Sequence, residues 1–306
     1  MIYYRACVFS RSQSPLYKEI KKVRHYNTPK DILPDGTLLI KQVEYEKVAI
    51  EQQNRPKYHI NGRDVYVEDA AITYLKSVGF EAFWAENKFW RLMMILLFWD
   101  EFFAKIKSAI PRWEKSFFKL AGSGDFQCKD QYEYRFKTTG FPTDIYKSTF
   151  YENRKEIFQN RLSELKNRDL RSEFERSWKS NFKKYGLCTR EYEWDRFSLG
   201  QFQAVLERVS GERILMALTR LFCNYKQARI GMPDLLAYKG NSFMFIEVKS
   251  ENDETSKVQR DWHNFLSEIG FDVELLLVNH SNSQLKAELL RYKKHKPIER
   301  LLKQPK

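Results

Sequence analysis

The chain has 306 residues, of which 42% are hydrophobic and 15% aromatic, and its 53 lysines and arginines outnumber 40 acids to give a formal net charge of +13. That length can bury a sizeable core as one compact unit with accessories, and the positive field favours an anionic partner, nucleic acid before a membrane surface. A bilayer span is excluded, because the longest apolar run, Leu92 to Trp99, is far too short and is flanked by Arg91 and Asp100.

The opening residues, MIYYRACVFSRSQ, lack a basic start, a long apolar stretch and a small-residue cleavage site. An intracellular chain is therefore expected, cytoplasmic or with the nucleoid, and nuclear in a eukaryote. Cys7, Cys128, Cys188 and Cys223 form no Cys-x-x-Cys pair. They read as thiols rather than as a zinc knuckle or a disulfide framework.

Residues 1–65 are polar and irregular, with a turn at Pro34-Asp35-Gly36 and a loop near Asn61-Gly62, and are taken as an accessory lobe. From Val67, the spacing of Ala70, Ala71, Tyr74, Leu75 and Val78 predicts a helix that stops at Gly79. A second helix, from about Asn87 to Ala104, is apolar around most of its circumference and so is expected to be buried on nearly all sides. Between Pro111 and Pro142 the pattern reads as loop and short helix, broken at Gly122-Ser123-Gly124.

From Phe150 to Lys184 the sequence is helical and highly charged, interleaving Arg154, Lys155, Arg161, Lys166, Arg168, Arg171, Arg176 and Lys179 with acids. This is either a solvated helical face or a track along a DNA backbone. Helical signal returns over Gly200 to Val209 and Glu212 to Tyr225, separated by Gly211.

The period then changes to that of strands. DLLAY (234–238) and FMFIEVK (243–249) flank the turn Lys239-Gly240-Asn241-Ser242. A helix over about 255–269, a strand DVELLLV (272–278) and a basic helical tail beyond Ser281 complete the chain.

Side chains alternate along a strand, so Phe243, Phe245, Glu247 and Lys249 share one face while Met244, Ile246 and Val248 share the other. The hairpin lets Asp234 reach the same end of the sheet. Two close carboxylates suit a hard divalent cation, Mg²⁺ or Mn²⁺. Lys249 could orient water and stabilise charge on a phosphate, and Gln259, one turn before Trp262, could hold a water or the lysine. The short pattern alone is weak, since Glu-x-Lys recurs at Glu19, Glu86 and Glu164. A surface salt bridge and a solvent-exposed glutamine are the competing readings of the same residues.

The stretches NYKQARIGMPDLLAY, FMFIEVKS, KVQRDWHNFL and GFDVELLLV resemble the VRR-NUC branch of the PD-(D/E)xK nucleases, and within it the Fanconi-associated nuclease family. Upstream, VEDAAITYLKSVGFEAFWAENKFWRLMMILLFWDEFF, FPTDIYKSTFYENRKEIFQNRLSEL and FQAVLERVSGERILMALTRLFCNY are similar to further blocks of that family, so the likeness covers about residues 66–280.

The resemblance implies an α/β, α+β-like fold: a restriction-endonuclease-like core of a small mixed sheet flanked by helices, with a large helical portion. It implies a metal-dependent DNA nuclease that cuts branched DNA near a 5′ flap, with one or two Mg²⁺ or Mn²⁺ ions. The family's set falls on Glu86, preferred to Glu81, and on Asp234, Glu247 and Lys249, with the Val248 carbonyl as a backbone ligand. Lys226 and Arg229 occupy the stretch that anchors a terminal phosphate. The implied partner is branched, flapped or 5′-phosphorylated DNA, without a membrane, and a homodimer is left open.

The corresponding segments are an accessory lobe (1–65), a helical region supplying Glu86 and a DNA-contacting surface (66–199), the nuclease core (200–285) and a basic tail (286–306). An apparent insertion near 112–140 departs from the family. The alternatives are a nuclease of the same fold in phage, mobile-element or defence systems, a catalytically silent DNA-binding protein, and a structural basic helical protein.

Overall fold

The computed structural model describes residues 38–47, 56–104, 106, 142, 144–182 and 194–298. The turn at 34–36, Cys7, Cys128, Cys188, the insertion near 112–140 and the end of the tail lie outside these residues. The chain divides into two compact units, residues 1–87 with 230–299 and residues 88–229 with 300–306.

The first unit is built on a mixed five-stranded sheet, in the order β1 (Leu38–Val43), β7 (Asp272–Val278), β6 (Ser242–Lys249), β5 (Leu235–Lys239), β4 (Glu81–Trp84). β7 runs parallel to both β1 and β6, whereas β5 is antiparallel to β6 and to β4. The β5–β6 hairpin closes through Gly240-Asn241, with Lys239 paired to Ser242 and Gly240 at φ +56°, which glycine adopts without steric cost. A separate ribbon pairs β2 (Tyr58–Ile60) with β3 (Arg63–Val65). Its turn falls at the expected Asn61-Gly62, both with positive φ.

One face of the sheet is covered by α1 (Val67–Ser77), whose Val67, Ala70, Ala71, Tyr74 and Leu75 join Leu235, Ala237, Ile246, Val248, Leu276 and Val278 in one core. Each large aliphatic residue buried there contributes about 1.5–3 kcal/mol. Strand alternation therefore sends Phe245, Glu247 and Lys249 to the opposite face, toward α9 (Lys257–Glu268). α10 (Asn282–Lys293) follows β7.

In the second unit, α2 (Glu86–Leu97), which enters from the first, is buried at every position from Phe89 to Leu97. The expected single helix to Ala104 breaks at Phe98, whose φ of −117° and ψ of +38° leave the helical region, and α3 (Trp99–Phe102) follows. Next come α4 (Lys155–Lys166), α5 (Leu170–Asn181), α6 (Leu199–Arg208), α7 (Gly211–Cys223) and the short α8 (Tyr225–Ala228). Their apolar faces meet in aromatic contacts, including Phe158 stacked on Phe222 at 4.2 Å and Phe89 on Phe202 at 4.3 Å.

Two differences from the sequence reading concern boundaries. Leu38–Val43, expected within an irregular lobe, is an edge strand of the main sheet. Helices α6 to α8, expected with the nuclease core, group instead with residues 88–229, because their apolar residues pack on α2 and α4.

Over its described residues, 150–182, the charged stretch is largely paired within the chain. Arg154 is 1% exposed and grips Asp144 with two hydrogen bonds of 2.7 and 3.0 Å, and Arg161, Arg168 and Arg176 converge on Glu173. Arg171 pairs with Glu175 and Glu207. Lys155, Lys166 and Lys179 remain exposed on this surface.

Candidate active site

The register of the hairpin places the first acid. Leu235 pairs with Ile246, so Asp234, one residue before β5, comes level with Glu247 on the face away from α1. Its Oδ2 accepts the Val248 N–H at 2.9 Å, and its backbone carbonyl accepts the N–H groups of Ala85 (2.9 Å) and Glu86 (2.8 Å). Glu86 is thereby tied to Asp234 by the backbone at the start of α2. It holds φ +40°, a left-handed conformation that costs a non-glycine residue about 1–2 kcal/mol and is retained where the surroundings impose it. Asn87 steadies the same turn, donating to Glu86 Oε1 at 3.3 Å and accepting the Met232 N–H at 3.1 Å. Glu81 pairs with Tyr238 at the other end of β4 and is exposed, so the geometry favours Glu86 over it.

Glu247 is fully buried. Its Oε1 meets Lys249 Nζ at 2.7 Å and accepts a hydrogen bond from Gln259 Nε2, while Gln259 Oε1 takes a longer one from Lys249 at 3.4 Å. Gln259 is itself fixed by a capping box at the start of α9: Ser256 Oγ accepts the Gln259 N–H at 3.2 Å, and Gln259 Oε1 accepts the Ser256 N–H at 2.8 Å. One residue thus caps the helix with its carbonyl and addresses Glu247 with its amide. Trp262 is buried as expected and donates its indole N–H to the Ile230 carbonyl at 3.0 Å.

The loop before Asp234 must approach α9 closely. Gly231 has φ +89°, and a Cβ there would fall 2.7 Å from Val258 Cγ1 and 3.0 Å from the Val258 carbonyl carbon. Only glycine fits both conditions.

The electrostatics are those of crowded acids. Burial, followed by the charge of Glu247, pushes the Asp234 carboxyl well above the usual carboxylate range. Burial likewise lifts Glu247 to about 7; Lys249 opposes the rise, and the charges of Glu86 and Asp253 add to it. Burial would lower Lys249, but Glu247 and Asp234 outweigh it and hold the ammonium charged. Two neighbours on the helices behind Glu247 escaped the sequence reading. His263 Nε2 lies 3.5 Å from Glu247 Oε2, and His263 Nδ1 lies 2.5 Å from the Tyr292 hydroxyl. The signal that could have found His263 is its spacing of four from Gln259, which sets both on one side of α9.

Among the described residues no three histidine, cysteine, aspartate or glutamate side chains are gathered closely enough to hold an ion as they stand. The donor chemistry nevertheless fits a hard cation: oxygen ligands from buried, crowded acids, with Glu247 raising the proton affinity of Asp234 and Glu86 raising that of Glu247. Val248 donates its N–H to Asp234. Lys226 and Arg229 belong to the helical unit, where Lys226 is exposed and the Arg229 guanidinium lies over the Tyr146 ring, 4.9 Å from its centroid.

Comparison with known proteins agrees with this architecture. The VRR-NUC domain model matches residues 166–280. The chain is 27% identical over 254 residues to the Fanconi-associated nuclease 1 homolog of Oryza sativa subsp. japonica, covering 79% of this chain and 24% of that protein. To the homolog of Arabidopsis thaliana it is 30% identical over 229 residues, 72% of this chain and 23% of that protein. The chain therefore spans about a quarter of the length of these curated relatives. Among solved structures, paFAN1 bound to a DNA with a two-nucleotide 5′ flap and a gap superposes with a TM-score of 0.59 at 18% identity, covering 83% of this chain and 39% of that one, a likeness of fold. With its mixed sheet flanked by helices, the chain has a restriction-endonuclease-like fold, carries a VRR-NUC domain over residues 166–280, and is similar along most of its length to the Fanconi-associated nuclease 1 homologs.

Proposed function

We propose that this chain is a metal-dependent DNA nuclease that hydrolyses phosphodiester bonds and selects 5′-flapped or otherwise branched DNA in repair. The observation that carries this reading is the juxtaposition of Asp234, Glu247 and Lys249 on one sheet face, with Glu86 tied to the Asp234 backbone. Asp234, Glu247 and Glu86, with the Val248 carbonyl, would hold one or two Mg²⁺ or Mn²⁺ ions. Such an ion, when bound, polarises a phosphoryl oxygen and lowers the pKa of a coordinated water.

The remaining work falls to the chain. Lys249, kept charged by its acidic neighbours, stabilises negative charge developing on the scissile phosphate. Gln259, locked by its capping box, holds Glu247 and Lys249 in register. Lys226 and Arg229 would contact a terminal phosphate, Lys226 as a point charge without the two-pronged fork of an arginine.

The test is cleavage of labelled single-stranded, blunt duplex, 5′-flap and 3′-flap DNA with Mg²⁺, Mn²⁺ or EDTA, with Glu247→Ala in parallel. Metal-dependent cutting that favours the 5′ flap and disappears in the variant is expected. Equal cutting of all four substrates would keep the chemistry and reject the selectivity, and binding without cutting would leave a silent DNA-binding protein.

A further inference from the structure

At Glu247 Oε2, the carboxylate oxygen that Lys249 and Gln259 do not contact, lies a buried pair that the proposed reaction does not use. His263 is 1% exposed on α9, and Tyr292 is 7% exposed on α10. Their rings are nearly parallel, 14° apart with centroids separated by 5.9 Å, and the Tyr292 hydroxyl sits 2.5 Å from His263 Nδ1. The other ring nitrogen, Nε2, faces Glu247 Oε2 at 3.5 Å. Neither Nε2 nor Oε2 has another hydrogen-bond partner.

With Glu247 ionised, the form a divalent cation would bind, the chemistry of these groups admits one self-consistent assignment of protons. A phenol has one hydrogen to donate, and a carboxylate can only accept. If Nδ1 carried the imidazole proton, the Nε2 lone pair would point at a carboxylate oxygen and both would be left unsatisfied in a dry interior. If the Tyr292 O–H donates to Nδ1, the proton sits on Nε2 and is aimed at Oε2. Burial, reinforced by the charges of Glu247 and Glu288, keeps the phenol protonated.

We infer that His263, held in its Nε2–H tautomer by Tyr292, positions Glu247 for a divalent cation by anchoring Oε2, which fixes the plane of the carboxylate and presents Oε1 to the ion. This rests on the nuclease reading above. His263 touches neither substrate nor ion and is a positioning residue, comparable in role to the outer partners that orient metal-ligating side chains elsewhere. A neutral donor suits the place, because an imidazolium would compete with the incoming cation for the same carboxylate. The 3.5 Å separation is just beyond a hydrogen bond, so a small rotation of the carboxylate closes it when Oε1 is drawn toward an ion.

The test uses the whole chain and Mn²⁺ alone. Nitrogen-15 spectra of the imidazoles should show His263 protonated at Nε2 and bare at Nδ1. Calorimetric titration with Mn²⁺ should show binding weakened roughly 10- to 100-fold in His263→Leu, recovered to within a few-fold in His263→Gln, whose amide nitrogen can stand where Nε2 stood, and weakened to a lesser degree in Tyr292→Phe. Matching circular dichroism melts separate this from unfolding, and recovery by glutamine would not follow from packing alone. An Nδ1–H tautomer in the unsubstituted protein, or equal Mn²⁺ affinity in folded His263→Leu, would overturn the inference while leaving the nuclease reading intact. Failure of the unsubstituted protein both to bind Mn²⁺ and to cut DNA would overturn the nuclease reading and this inference with it.

Discussion

The backbone N–H of Glu86 donates to the carbonyl of Asp234 across 2.8 Å, and Glu86 takes φ +40° to do so. Two acids far apart in sequence are thus joined through their main chains, leaving both carboxylates outside that bond. The strain stored at Glu86 has the character of a functional constraint.

Replacing Glu86 with glycine separates stability from function. Glycine adopts positive φ without penalty, so Glu86→Gly is expected to melt at the same temperature or higher, by up to about 1 kcal/mol. Cutting should fall on the order of 100-fold as a metal-facing carboxylate is lost. Thermal melts and cleavage assays on one preparation check both, and a destabilised variant with undiminished cutting would remove Glu86 from the site.

Lys249→Met tests the buried pair. Glu247 is fully buried and would lose its cation, and breaking such a pair from one side typically costs about 3–5 kcal/mol. In EDTA the melting temperature should drop. Mn²⁺ should restore part of it, because an ion that binds only the folded state stabilises it by mass action, yet cutting should stay lost. Calorimetric melts with and without Mn²⁺ decide this, and no loss of stability in EDTA would argue against the pair.

Acid stability should report on Glu173. Burial tends to raise its carboxyl, but Arg176, Arg168 and Arg161 outweigh that and hold it at about 2. A folded-state pKa below the unfolded value means the unfolded chain binds the proton first. The stabilisation is therefore complete above about 4.5 and lost as pH falls through about 2. Two of the arginines are substantially exposed, so roughly 2 kcal/mol is expected after solvent screening. Urea unfolding at pH 7 and pH 3 should show a smaller acid-induced loss in Glu173→Gln than in the unsubstituted chain, and equal losses would contradict this account.

Gly231→Ala should destabilise the first unit by about 1–3 kcal/mol, through the positive φ and the 2.7 Å approach to Val258. Because Gly231 leads into Pro233-Asp234, cutting should fall as well. Chemical denaturation checks the first effect, and a neutral outcome would mean that α9 can retreat from the loop.

Much of the site was legible because strand alternation is rigid. The grouping of Phe243, Phe245, Glu247 and Lys249 follows from period two alone, and β7 runs over the expected Asp272–Val278. Asp234 and Glu247 were within reach of hairpin arithmetic. β1 was not, since LLIKQV has no local partner and becomes a strand only by pairing with β7, more than 200 residues away. β4 is four residues long with an exposed-intermediate-intermediate-exposed pattern, too short for a period to register. His263 and Tyr292 lie on separate helices, so no sequence spacing links both to Glu247.

The sheet that carries the site is assembled from the two ends of the described chain, with β1 and β4 before residue 88 and β5 to β7 after residue 230. Such long-range pairing slows folding, because the entropy of loop closure is incurred before the contacts repay it. During synthesis Glu86 emerges well before its partners. A nascent chain therefore cannot bring Glu86, Asp234, Glu247 and Lys249 together until residues 234–249 and helix α9 have left the ribosome, and at an elongation rate of about 5–20 residues per second that interval lasts on the order of ten seconds or more.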